Sequence, residues 1–99
     1  RRARPAAAAV PLGPGRTVFG RSEYLTGEYP GAAVVRLDSF AVAKCHAVVT
    51  AGPDGVVIED RNSRNGTYVN GARLTAPVSL RDGDEVVFPE FAFVFRELP

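Results

Sequence analysis

One cysteine, one histidine and one lysine among 99 residues narrow the chemistry before any pattern is sought. Cys45 has no second thiol to pair with, which excludes an intramolecular disulfide and fits a reducing compartment. Cys45 and His46 are adjacent, and no further Cys or His exists, so a closed zinc site lacks ligands. Nucleophilic catalysis needs a base oriented on the nucleophile, whereas neighbours in an extended strand point to opposite faces. No GxGxxG or P-loop pattern is present. Asp82 and Asp84 flank Gly83 in the manner of a turn, not of a catalytic carboxylate pair. No catalytic residue, metal or cofactor is expected, and the chain does not read as an enzyme.

Long apolar runs are missing too. No stretch approaches membrane-spanning length and no signal-peptide core is visible, so membrane association is not expected and a cytoplasmic location is (nuclear in a eukaryote). The formal net charge of +1 provides no general field for nucleic acid or anionic lipid. Any charge-based recognition therefore depends on local placement of residues. The start Arg-Arg-Ala-Arg-Pro has no initiator Met and reads as part of a longer protein. Residues 1–5 are expected to be a flexible linker or chain end, with a nucleic-acid arm as the lesser alternative, and residues 6–99 to form one domain.

What is present is punctuation. Gly and Pro total 18 residues and interrupt the chain too often for a long helix. Short strands are expected at 6–10, 17–19, 33–37, 47–51, 56–60, 72–74, 78–80, 85–88 and 91–95, with a long loop over 22–31. Gly52-Pro53-Asp54-Gly55 reads as a hairpin turn. Phe91, Phe93 and Phe95 recur at period two and are expected to fill a core, with Ala92, Val94 and Arg96 facing away. The fold class is all-β, a sandwich. Asp60 to Gly71 holds two Asn-Gly pairs five residues apart. Each pair accepts positive φ cheaply, so the chain turns tightly twice and gathers polar side chains at a loop tip.

The remaining chemistry is a scattered polar set at strand ends: Gly20-Arg21, Lys44-Cys45-His46 and Ser63-Arg64-Asn65-Gly66-Thr67. Arg presents a fork of donors suited to phosphate, Lys a point charge, and Ser and Asn neutral donors. If these loops meet, a phosphorylated side chain with three acceptor oxygens is a natural ligand. Residue chemistry alone leaves this as one reading among several.

The order of motifs resembles that of the forkhead-associated (FHA) domain. Gly20-Arg21 comes first, then His46 ahead of a strand, then Asp60-x-x-Ser63-x-Asn65-Gly66-Thr67-x-Val69-Asn70-Gly71, then Leu80-x-x-Gly83-Asp84. The resemblance covers Val18 to about Leu98. It implies a sandwich of two twisted antiparallel sheets with about eleven strands, and binding of phosphothreonine peptides by loops at one end. The partner would be a phosphorylated protein, the context Ser/Thr kinase signalling, and the isolated domain a monomer. The implied phosphopeptide-binding residues are Arg21, Lys44, Ser63, Arg64 and Asn65. Gly20, His46 and Gly66 are implied as structural members of the motif, with His46 bracing the loops from within. One position departs from the family. Ala43 stands where the family has a Ser, three residues before the His, that donates to the phosphate. Losing such a bond costs about 1.5–3 kcal/mol, or roughly ten- to a hundredfold in affinity. The alternative function is a phosphate-independent interaction or self-association domain on the same fold.

Overall fold

The computed structural model describes residues 4–5 and 9–97. Among them the chain forms ten strands and one short helix: β1 (Arg4–Pro5), β2 (Gly15–Gly20), α1 (Leu25–Glu28), β3 (Ala33–Arg36), β4 (Ala47–Gly52), β5 (Gly55–Asp60), β6 (Tyr68–Val69), β7 (Ala72–Arg73), β8 (Val78–Ser79), β9 (Glu85–Phe88) and β10 (Phe91–Val94). They build two five-stranded sheets, ordered β1-β10-β9-β6-β7 and β3-β2-β4-β5-β8. The expected sandwich is present, with one refinement. β1 with β10 and β2 with β3 are parallel pairs; the other six pairings are antiparallel.

Alternation explains the layers. Phe19, Ala47, Val49 and Ile58 project from one sheet, and Val69, Val86 and Phe88 from the other, into a shared core. Phe19 stacks on Phe88 with ring centroids 5.1 Å apart, and Phe93 meets both edge-on. Val18 and Val48 point the other way, into a second cluster capped by Leu25. The stretch over 22–31 was expected to be loop throughout. It contains the single helical turn α1 because Leu25, 1% exposed, closes over that outer face.

Three expectations shift. The strand placed at 6–10 falls partly outside the described residues, and residues 9–10 are not in a strand. Arg4–Pro5, assigned to the linker, pair instead with Phe91 and Ala92. Of the three phenylalanines at period two, Phe95 is buried, while Phe91 and Phe93 are only half-buried against the core. Val94 faces away as expected.

Register fixes what lies at the loop end. Gly20 is the last residue of β2 and aligns with Arg36, the last of β3. Ala47, the first residue of β4, aligns with Asp60, the last of β5. The loops after β2, after β3 and after β5 therefore leave the same edge of one sheet.

Candidate functional site

Gly20 lets these loops touch. A Cβ at this position would sit 2.2 Å from the backbone oxygen of Lys44, far inside contact distance. Without it, residues 21–22 run beside 43–44: the Arg21 N–H donates to Ala43 O at 3.0 Å and the Ser22 N–H to Lys44 O at 3.1 Å.

Two side chains then converge on consecutive carbonyls of the β3–β4 loop. Arg21 Nε donates to Val42 O at 3.1 Å, and Asn65 Nδ2 donates to Ala41 O at 2.8 Å. These contacts draw Arg21 and Asn65, 44 positions apart in sequence, onto one short stretch of backbone. Each keeps capacity to spare: Arg21 its terminal guanidinium nitrogens, Asn65 its carbonyl oxygen and a second N–H. The Arg21 guanidinium lies 5.6 Å from the centroid of the Phe40 ring, and Phe40 is 96% exposed. Lys44 and Arg64 are both exposed on the same loops.

His46 sits beneath this rim and is fully buried. The Ala43 N–H donates to its Nδ1 at 2.9 Å. That nitrogen therefore carries no proton, and Nε2–H donates to Gly66 O at 2.8 Å. One imidazole thus ties the β3–β4 loop to the β5–β6 loop, with its ring edge-on to Phe88 at 5.5 Å. Cys45, in the loop just ahead of β4, points the other way and belongs to the outer cluster, where Sγ lies 3.2 Å from the Tyr29 hydroxyl. Tyr29 packs its loop down; Tyr24 remains exposed.

The loop over 60–67 closes on Asp60. Its Oδ1 accepts the Ser63 hydroxyl at 2.6 Å and the Thr67 hydroxyl at 2.7 Å, and its Oδ2 accepts the Ser63 N–H at 2.9 Å. Burial alone would raise the Asp60 carboxyl. The donors on Ser63 and Thr67 outweigh burial and hold the group below the usual aspartate range. Ser63 is a correction to the expected set of ligand contacts. It is 6% exposed, its hydroxyl proton goes to Asp60, and its Oγ accepts the Gly66 N–H at 3.0 Å. An Asp-x-x-Ser spacing folds into a turn that consumes its own polar atoms.

Gly66 takes φ +84°, and a Cβ there would come within 2.8 Å of Arg73 Nε. Arg73 in turn donates through Nη2 to Arg64 O at 3.1 Å and, more distantly, to Ser63 O at 3.5 Å. Asn70 and Gly71 both have positive φ and form the β6–β7 turn. The Asn70 side chain does more than turn the chain: Nδ2 donates to Asp84 Oδ1 at 2.9 Å, and Oδ1 accepts the Glu85 N–H at 2.9 Å.

Ala43 contributes only backbone to the rim, since its N–H is given to His46 and its carbonyl is taken by Arg21. Ser39 does not replace the missing hydroxyl: it donates to Glu90 and caps its own loop by accepting the Ala41 N–H. Three participants escaped sequence reasoning. Arg36 donates through Nε to Arg21 O at 3.1 Å, Arg73 clamps the loop at 63–64, and Phe40 underlies the Arg21 guanidinium. The register opposite Gly20 would have found Arg36, but a parallel β2–β3 pairing leaves no local signature in the sequence.

A two-sheet sandwich with a cationic, hydrogen-bonding rim held by a buried histidine agrees with the family that the order of motifs resembles. The chain belongs to the FHA domain family, whose pattern matches residues 17–89. Among curated proteins it is similar to the ABC transporter ATP-binding/permease protein Rv1747 of Mycobacterium tuberculosis, 37% identical over 74% of this chain and 9% of that protein. It thus spans about a tenth of the length of that relative. Among solved structures, Mycobacterium tuberculosis EmbR in complex with a low-affinity phosphopeptide superposes with a TM-score of 0.74 at 31% identity, covering 87% of this chain and 21% of EmbR. An FHA domain studied for its phosphothreonine-dependent interactions gives 0.73 at 27% identity, covering 89% of this chain and 82% of its own. FHA domains are interaction modules.

Proposed function

We propose that this domain binds phosphothreonine peptides of a partner protein in Ser/Thr kinase signalling, in the cytoplasm and as a monomeric module. One observation carries the reading: Arg21 and Asn65 are pinned to the adjacent carbonyls Val42 O and Ala41 O, with unused donors on both side chains. Arg21 contacts the phosphate, Lys44 and Arg64 add positive charge around it, and Asn65 holds the peptide backbone. His46 and Gly66 keep the loops in place without touching ligand, and Gly20 allows their close approach.

Titration calorimetry with a phosphothreonine peptide library and unphosphorylated controls tests this. Binding is expected only with phosphate, and Arg21→Ala should abolish it. Ala43→Ser should tighten it by about tenfold or more, since a hydroxyl donor to a charged group is restored. Absence of phosphate-dependent binding at millimolar peptide, in wild type and in Ala43→Ser alike, would instead favour a phosphate-independent docking domain. Ala43 is the feature that motivates that second reading.

A further inference from the structure

The rim holds more positive charge than one phosphate consumes. Arg21, Arg36, Lys44 and Arg64 all lie on the loops and strand end that leave the same sheet edge. Among the described residues, none of the four has a carboxylate within ion-pairing distance; the pairs found are Arg61–Glu59, Arg96–Asp82 and the His46–Asp60 contact. The Asp60 carboxylate is occupied by Ser63 and Thr67, and Glu23 and Asp38, which share these loops, are exposed and in no ion pair with the four. In a chain with eleven acidic residues and a net charge of +1, this is a local concentration of unneutralised cations. A phosphothreonine carries about −1.5 to −2 charges, fewer than the four cations, so it does not by itself engage them all.

Besides Arg21, Arg36 is the member of this group whose side chain is held by a hydrogen bond. It ends β3 opposite Gly20, is exposed, and donates Nε to the carbonyl of Arg21 at 3.1 Å. That bond holds one of five N–H donors and leaves the terminal fork available for a bidentate acceptor. The fork therefore stands beside the residue that contacts the first phosphate, anchored by that residue's own backbone.

We infer that Arg36 forms a second anion-binding position in the same site, and that the preferred ligand is a peptide phosphorylated twice within a few residues. This rests on the phosphothreonine reading above and adds to it a ligand class. The second position accepts a phosphate in preference to a carboxylate because two charges and three acceptor oxygens match a guanidinium fork better than one charge does.

Calorimetry on wild type, Arg36→Gln and Arg36→Lys tests it with four versions of one peptide. These are unphosphorylated, singly phosphorylated on threonine, doubly phosphorylated with the second site moved along either flank, and singly phosphorylated with glutamate at the second site. In wild type the second phosphate should tighten binding by about tenfold or more at one spacing, and glutamate should give a smaller gain. Arg36→Gln should erase the gain, so that within this variant the doubly and singly phosphorylated peptides bind alike, and Arg36→Lys should keep part of it. An equal gain with glutamate would assign the position to carboxylates and overturn the double-phosphate ligand. If the single phosphate binds but no spacing of a second one helps, or if the gain survives Arg36→Gln, Arg36 forms no second anion position and the phosphothreonine reading stands. If no phosphorylated peptide binds at all, that reading fails and this one with it.

Discussion

Gly20 is a residue whose side chain would have to occupy the space of another residue's carbonyl. The clash at 2.2 Å is with backbone, which cannot rotate away as a flexible side chain would. Gly20→Ala is expected to destabilise the domain by about 2–3 kcal/mol, measured by denaturant unfolding, because the β2 end and the β3–β4 loop must separate. His46 shows how far single residues were legible. Its place before a strand marked it as part of a motif, and it and Cys45 do face opposite sides, although both lie in the loop ahead of β4 and not in the strand itself. Its partners, Ala43 N–H and Gly66 O, lie 3 and 20 residues away and depend on where two loops meet. Ser63 misled for the same reason. A serine beside a binding Asn looks like a donor to ligand until the turn places Asp60 against it.

At the level of elements, the β5–β6 connection behaves as one unit built on Asp60. Its depressed carboxyl stabilises the folded state in the charged form, since the folded group holds its proton less tightly than the unfolded one. That contribution is fully present above the unfolded aspartate value near 3.9 and is lost as pH falls through the folded value. Thermal stability should therefore be flat near neutral pH and fall below about pH 4. Asp84, lowered by the Arg81 N–H and the Asn70 amide, titrates on the same acid limb, so the test is a difference between proteins. Asp60→Asn should cost about 1–3 kcal/mol at pH 7 and show a shallower acid decline than wild type, read by calorimetric melts across pH. An equally steep decline in the variant would remove Asp60 from the account. The turns around this element were readable from composition alone: Asn70-Gly71 adopts positive φ at both positions, as an Asn-Gly hairpin should. Helix α1 was not readable, because a single turn is formed by what Leu25 covers rather than by local propensity.

For the whole molecule, the small net charge sets the salt response apart from stability. Attraction of a phosphopeptide should come from a few rim cations rather than from a global field. Raising NaCl from about 50 to about 500 mM should weaken phosphopeptide binding several-fold while the melting temperature moves little, as exposed charges are screened and the core is not. A salt-independent affinity would argue for an apolar interface instead. Strand alternation, glycine-bounded turns and the spacing of the Asp-x-x-Ser-x-Asn-Gly-Thr segment were enough to determine a β-sandwich and its family, because these signals are local and repeat along the chain. The convergence of Arg21, Arg36 and Asn65, the diversion of Ser63 into its own turn and the burial of Leu25 were decided only by tertiary structure. Each depends on strand register and on loops meeting across tens of residues, and chain entropy hides such long-range geometry from any short window of sequence.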